Sequence, residues 1–122
     1  MSGYYSHIED ETLENNNFRK VLFTGPYSQL VVMSLKPGED IGMEVHDGHD
    51  QFFRIEAGQG KAIINGEEFD LLDGDAVVVP SGAEHNVVNT SKEENLKLYT
   101  IYSPAEHADG TVHKTKKDSI EE

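Results

Sequence analysis

Short apolar runs separated by glycine, proline or asparagine turns follow one another through most of this chain. They occupy residues 27–35, 51–55, 61–64, 67–72, 76–79, 85–89 and 96–102. Asn65-Gly66 joins two of these runs, and an Asn-Gly pair in that position is a strong signal for a β-hairpin. We find no convincing long segment with the 3.6-residue apolar period of a helix. The pattern therefore predicts an all-β sandwich or barrel.

Length and cysteine content narrow the class of protein. The 122 residues fit a single domain, large enough to bury a core without covalent cross-links. Cysteine is absent, which excludes disulfides and thiolate metal sites and is compatible with a reducing cytosol. The N-terminus lacks the basic and apolar regions of a signal peptide, and no apolar stretch approaches the roughly 20 residues of a membrane span. We therefore expect a cytoplasmic protein.

The charge of the chain limits its partners. Acidic side chains outnumber basic ones by 23 to 10, which gives a formal net charge of −13. A surface of this sign repels phosphate backbones and anionic lipids. We therefore expect no nucleic-acid partner and no membrane partner, and we assign the acidity to solubility.

Composition divides the chain into three segments. Residues 1–17 are polar and predict a short irregular N-terminal arm, and residues 18–103 carry the strand pattern of a barrel. Residues 104–122 form a polar C-terminal extension, highly charged from residue 114 onward, which we expect to be mobile or to lie on the surface. Two histidines around a glycine are unusual in a disordered tail, so we favour an extension that folds back over one barrel edge.

Two sets of regularly spaced residues lie within the barrel segment. The first set is Gly38, Glu44, His46, Gln51 and Gly58. The second set is Gly74, Pro80, Gly82, His85 and Asn89. Together they resemble the two motifs of the cupin family, Gly-x5-His-x-His-x3 or x4-Glu-x6-Gly and Gly-x5-Pro-x-Gly-x2-His-x3-Asn. The resemblance covers roughly residues 28–102 and implies a jelly-roll barrel.

The second motif matches the family pattern at every position, whereas the first departs from it at two residues. Glu44 occupies the place of the usual first histidine, and Gln51 occupies the place of the usual glutamate. The spacing of the first motif is nevertheless kept. The departure therefore changes the identity of side chains and leaves their positions intact.

Strand geometry groups these polar side chains. Glu44 and His46 are two residues apart, so on a strand they face the same side, and Gln51 begins the next strand. If these faces point inward, Glu44, His46, Gln51 and His85 converge inside the barrel. The resemblance implies that the same four positions bind a divalent metal ion, which would be Fe, Mn, Ni, Co or Zn.

The substituted ligand set keeps the charge of the usual one. Three imidazoles and one carboxylate become two imidazoles, one carboxylate and one amide, so the ligand charge stays at −1 with the carboxylate relocated. Glu44, His46 and His85 also form a two-histidine, one-carboxylate set, which suits Fe(II) and similar metals. Gln51 is then a weaker fourth ligand or an outer hydrogen-bond donor. The alternative is a cupin without metal, in which Glu44 and Gln51 satisfy each other as a buried polar pair.

Five further residues are candidates for lining a pocket. Phe53 shares the strand face of Gln51, and Tyr99 is an aromatic that could contact a ligand. His49 lies in the turn between the two strands, where an exposed position is the simpler expectation. His107 and His113 lie in the extension, where either could act as an acid or base if it reached the pocket.

The resemblance implies a fold and leaves several functions open. One is a metal-dependent enzyme acting on a small molecule, either a dioxygenase or an isomerase or lyase of a sugar or other carbonyl compound. The others are a non-catalytic ligand-binding or sensor cupin and a structural cupin without metal. Cupins of this size often pair through sheet edges, so we also expect a homodimer, which light scattering at micromolar concentration would distinguish from a monomer.

Overall fold

The structure is a computed structural model that describes residues 3–121, without the side chain of Glu121. Its described residues contain ten strands in two antiparallel sheets. The six-stranded sheet has the order β10 (Val112–His113), β1 (Arg19–Thr24), β2 (Gln29–Leu35), β9 (Leu96–Ser103), β4 (Asp50–Ala57) and β7 (Ala76–Val79). The four-stranded sheet has the order β3 (Glu44–Val45), β8 (Glu84–Asn89), β5 (Gln59–Ile64) and β6 (Glu67–Leu72). The predicted all-β jelly roll is confirmed.

The inner faces of the two sheets enclose the core. In the six-stranded sheet, register places Val31, Thr100 and Phe53 side by side on three neighbouring strands, and all three are buried. Alternate residues on the same strands, such as Phe52 and Tyr99, lie on the outer face and are partly exposed. One row further along, register places polar side chains on the inner face. The barrel interior is therefore apolar over most of its length and polar at this row.

The turns use the residues that the sequence pattern singled out. Asn65 and Gly66 join β5 to β6 with φ angles of 48° and 83°, the left-handed backbone that a two-residue hairpin requires. Asn89, the last residue of the second motif, is buried, and its amide donates to the carbonyls of Leu35 and Glu94. The motif thus encodes loop geometry as well as the polar site.

The N-terminal arm is not irregular throughout, because α1 (Ile8–Glu14) lies within it. Three acidic residues in its first turn complement the positive end of the helix dipole. Thr12 is fully buried, and its hydroxyl donates to the carbonyl of Ile8 over 2.7 Å. A single buried polar residue leaves no apolar stripe, which explains why the 3.6-residue period did not predict this helix.

The C-terminal extension folds back onto the barrel, as the favoured alternative predicted. Its strand β10 pairs with β1 at the edge of the larger sheet, and α2 (Lys116–Glu121) follows. Residues 1, 2 and 122, which the predicted arm and extension include, lie outside the described residues. Within the described chain, no helix has the length and apolarity needed to cross a membrane.

Candidate functional site

The polar row of the larger sheet faces the second motif across the barrel. Gln51 and Tyr102 are direct partners on β4 and β9, and both are buried. On the smaller sheet, Glu44 of β3 pairs with His85 of β8, and His46 follows β3 directly. The structure therefore brings together the four side chains of the predicted metal site.

The first contact in this site joins Glu44 and His46. The Nε2 atom of His46 lies 2.7 Å from Oε2 of Glu44, and the two side chains are 10% and 26% exposed. The oxygen lies off the direction of a ring N–H bond, since Nε2 is buried without an aligned hydrogen-bond partner. Two electron-rich atoms this close require a proton on the ring nitrogen or a cation between them.

The second contact joins His85 and Gln51 across the two sheets. Nδ1 of His85 lies 3.1 Å from the carbonyl oxygen of Ala83, and Nε2 lies 3.1 Å from Oε1 of Gln51. The amide nitrogen of Gln51 donates to Oγ1 of Thr100 over 3.0 Å, which fixes its oxygen toward His85. A neutral imidazole carries one N–H, so His85 can donate to only one of these two oxygens and turns a lone pair toward the other. Satisfying both contacts therefore calls for a second proton or a cation.

Glu44 and His46 shift each other's pKa in opposite directions. Burial raises the pKa of Glu44, but the polar contact with His46 and the positive charges of His46, Arg19 and His85 outweigh it, and the net pKa is lowered. The contact with Glu44 raises the pKa of His46; burial and Arg19 oppose this, while the charge of Glu106 adds to it. Without a metal, the pair favours a carboxylate beside an imidazolium.

The contact between Glu44 and His46 predicts that the stability of chelator-treated protein depends on pH. The raised pKa of His46 stabilises the fold below its ordinary value of 6.5, and this is lost as pH rises through the raised pKa. The lowered pKa of Glu44 stabilises the fold above its ordinary value of 4.5, and this is lost as pH falls through the lowered pKa. We expect the melting temperature of wild type to exceed that of Glu44→Gln by roughly 2–6 °C between about pH 4.5 and 6.5, and by less on either side. A difference that does not vary with pH would contradict the ionic contact.

A loop of the C-terminal extension brings a second carboxylate to the site. Oε2 of Glu106 lies 3.6 Å from Nδ1 of His46 and 3.3 Å from Nε2 of His49. Gln29, which is fully buried, accepts hydrogen bonds from the backbone N–H groups of Glu106 and His107 and donates to the carbonyl of His107. One buried amide thus clamps the loop that holds Glu106 beside the two histidines.

Residues 31–102 match the cupin domain family. The chain belongs to the cupin family. This cupin is 47% identical over 121 residues to YrkC, an uncharacterized protein of Bacillus subtilis, in a match that covers 93% of the chain and 64% of the relative. The chain therefore spans about two thirds of the length of that relative.

Two further proteins are similar over most of the cupin chain. The pectin degradation protein KdgF of Dickeya dadantii is 32% identical over 108 residues, covering 85% of this chain and 94% of the relative. A crystal structure of a Bacillus halodurans protein matches with a TM-score of 0.95 and 41% identity, covering 98% of this chain and 94% of that chain. These matches support the cupin fold over most of the chain.

The remaining sequence candidates have different positions in this cupin. The ring of Phe53 lies 6.2 Å from that of His85, and Nε2 of His107 lies 3.3 Å from the hydroxyl of Tyr102, so both are beside the site. His49 is also at the site, through Glu106. Tyr99 lies on the outer face of the sheet, where its ring is 6.1 Å from that of Phe52.

His113 lies at the edge of the barrel, where its Nδ1 is 3.3 Å from Nη1 of Arg19. Sequence reasoning missed Tyr102 and Glu106 as parts of the site, and it missed Arg19, whose positive charge helps to lower the pKa of Glu44. The parity of β9 contained a signal for Tyr102, since it is two residues from Thr100 on the inner face. Nothing in the motifs pointed to Arg19 or Glu106, because both lie on segments outside them.

Tyr102 has a strongly perturbed hydroxyl. Burial raises its pKa well above the usual range, and the positive charge of Arg19 only partly opposes this. The hydroxyl therefore stays protonated at neutral pH and serves as a hydrogen-bond donor.

The polar side chains lie together without forming a closed metal cage. In the part of the chain that the structure describes, no group of three or more histidine, cysteine, aspartate or glutamate side chains is arranged to hold a metal ion. The chemistry of the donors nevertheless suits a divalent cation, since one carboxylate oxygen, two imidazole nitrogens and one amide oxygen meet in two pairs.

Proposed function

We propose that this cupin holds a divalent metal ion with Glu44, His46 and His85, assisted by Gln51, and uses it to act on a small molecule. The observation that carries the proposal is the pair of contacts in which an imidazole Nε2 meets a side-chain oxygen, 2.7 Å apart at His46 and Glu44 and 3.1 Å apart at His85 and Gln51. A single cation between the two pairs would satisfy both, whereas a proton would have to be supplied to each.

The surroundings of the two histidines support the proposal. Imidazoles that bind a metal through one nitrogen usually present the other to a carbonyl or a carboxylate, which fixes the ring and raises its basicity. Nδ1 of His85 faces the carbonyl of Ala83, and Nδ1 of His46 faces Glu106 at ion-pair distance. Both rings thus leave Nε2 for the metal.

The proposed reaction follows from the residues that surround these ligands. The metal ion would act as a Lewis acid or as an oxygen-activating centre. Phe53 provides an apolar wall beside His85, and Tyr102 keeps its hydroxyl proton for donation to a substrate oxygen. His107, beside that hydroxyl, is positioned to exchange a proton with it. A hydroxy-carbonyl compound, bound through two oxygens, fits this arrangement best.

The reaction class is proposed as a dioxygenase, or as an isomerase or lyase of a sugar or carbonyl compound. The similarity to KdgF, whose name refers to pectin degradation, supports a carbohydrate-derived substrate. Fold similarity alone does not choose between these reactions, since many chemistries share one fold. Oxygen consumption by Fe(II)-loaded protein with a panel of sugars and diketones separates dioxygenase from isomerase activity. A ligand that binds tightly without turnover would instead favour a sensor.

Metal content tests the central part of the proposal. We expect elemental analysis of protein purified without added metal to find about one divalent ion per chain, and His85→Ala to lose most of it. His7→Ala is the matched control, because His7 is exposed and lies outside the barrel. Metal well below one ion per chain in every wild-type preparation, including chelator-treated protein reloaded with Fe, Mn, Ni, Co or Zn, would contradict the proposal. It would favour a cupin in which Glu44 and His46 form a structural ion pair.

A further inference from the structure

Arg19, the first residue of β1, carries a buried positive charge. Its side chain is 5% exposed, and its register partner on β2 is Met33, a fully buried core residue, so both point into the barrel. Nη1 lies 3.3 Å from Nδ1 of His113, and the guanidinium stands 5.2 Å above the ring centre of Phe18. The aromatic ring and the imidazole hold the guanidinium in place without neutralising it.

This guanidinium has no anionic partner in the described chain. No aspartate or glutamate oxygen there lies within 4.0 Å of it, and its Nε atom is buried without a hydrogen-bond partner. Burial of an uncompensated charge is costly, and a buried donor without a partner adds to the cost. Arg19 is also the only buried lysine or arginine among residues 3–120. A group so expensive to bury calls for an anion, which the aspartate and glutamate side chains of residues 3–120 do not supply.

The charge of Arg19 acts on the candidate site. It adds to the positive charge of His46 in lowering the pKa of Glu44, and it opposes the effect of burial on the pKa of Tyr102. The order of the strands agrees with this. β10 and β1 lie at one edge of the larger sheet, and β3 lies at one edge of the smaller sheet. Both edges are on the side of the barrel opposite the groove between β6 and β7. Glu44 and Glu106 are 26% and 30% exposed, so the site opens to solvent beside them.

We propose that Arg19 binds the carboxylate of the small molecule that occupies this site. The planar guanidinium fork matches the two oxygens of a carboxylate, and its strength increases where water is excluded. A phosphate fits less well, because one guanidinium faces it while Glu44 and Glu106 repel a second negative charge. The inference rests on the proposed function in one respect: the metal would hold the other end of the same molecule. The substrate is thereby narrowed to small hydroxy or oxo acids.

Binding of simple probe acids tests the assignment. We expect metal-loaded wild type to bind glycolate and malonate in isothermal titration, and to bind the neutral analogue glycolamide at least tenfold more weakly. Arg19→Met keeps much of the side-chain volume and removes the charge, and it is expected to weaken glycolate binding by about tenfold to a hundredfold. Lys20→Met is the matched control, because Lys20 is the next residue of β1 and is exposed. It is expected to bind glycolate like wild type.

A second variant keeps the test decisive if Arg19→Met does not fold. Arg19→Lys retains the charge but loses the fork, and is expected to weaken glycolate binding by about tenfold. Wild-type affinity in either folded variant would overturn the assignment. So would a wild type that binds no carboxylate probe, or that binds inorganic phosphate more tightly than glycolate.

Metal content measured in the same samples separates this inference from the proposed function. Wild type that takes up no metal on reloading, but still binds glycolate in a manner dependent on Arg19, would leave the assignment of Arg19 intact and contradict the metal function. Metal-loaded wild type whose glycolate binding is independent of Arg19 would leave the metal function intact and overturn the assignment.

Discussion

Replacing Gly58 with alanine is expected to lower the free energy of unfolding by about 2–5 kcal/mol. Gly58 joins β4 to β5 with a φ angle of 90°, a conformation that costs an L-residue about 1–2 kcal/mol. A Cβ atom there would also lie 2.6 Å from the carbonyl oxygen of Asn95 and 3.1 Å from Cα of Leu96. Both atoms are backbone, and Leu96 is fully buried. The clash with the added Cβ atom can therefore be relieved only if the start of β9 moves. Such overpacking costs about 1–3 kcal/mol more.

Gly74→Ala is the matched control for this prediction. Gly74 has a φ angle of 91°, but nothing lies within 4 Å of a Cβ built on it. It should therefore lose only the conformational part, about 1–2 kcal/mol. Urea denaturation followed by circular dichroism gives both values. Equal losses at Gly58 and Gly74 would show that the close approach to Asn95 does not matter.

The comparison of these two glycines shows what the motifs predict and what they omit. Both glycines belong to the motifs, and turn chemistry alone explains why each needs a left-handed backbone. The hairpin at Asn65-Gly66 was predictable for the same local reason. The contact between Gly58 and Asn95 was not, because it joins loops that are distant in the chain, and only the packed barrel brings them together.

The candidate site also combines residues that the sequence predicts with residues that it does not. Two-residue spacing placed Glu44 and His46 on one face, and the resemblance to the motifs implied that His85 lies beside them, so these positions were predictable. Tyr99 alternates with Thr100 on β9, and the structure shows that the face of Tyr99 is the outer one. The sequence alone could not say which of the two faces points inward. The register of β1 turns Arg19 into the barrel, and the hydrogen bonds from Gln29 hold Glu106 at the site. Long-range pairing of this kind leaves no spacing signal in a single sequence.

Replacing Glu44 with glutamine is expected to lower the affinity for a divalent metal ion by about a hundredfold or more. Loss of a partner outside the first coordination shell already costs about 10–100-fold in affinity. In the proposed site, Glu44 supplies the only negative charge among the ligands, so the change also leaves a divalent ion with neutral donors. Competition with a chelator, measured for Mn and Ni, gives the affinity of each variant. Glu84→Gln is the matched control, because it removes an exposed carboxylate from β8, opposite Val45.

The double variant Glu44→Gln/Gln51→Glu tests whether the position or the presence of the carboxylate matters. It moves the charge from β3 to β4, where the usual cupin motif has it, and keeps the ligand charge at −1. The carboxylate introduced on β4 has no amide N–H to donate, but the hydroxyl of Thr100 can donate to it instead. We therefore expect metal affinity to recover to within about tenfold of wild type, since a comparable ligand set is restored. A folded double variant as weak as Glu44→Gln would show that this barrel requires the carboxylate on β3, and wild-type affinity in Glu44→Gln alone would remove Glu44 from the ligand set.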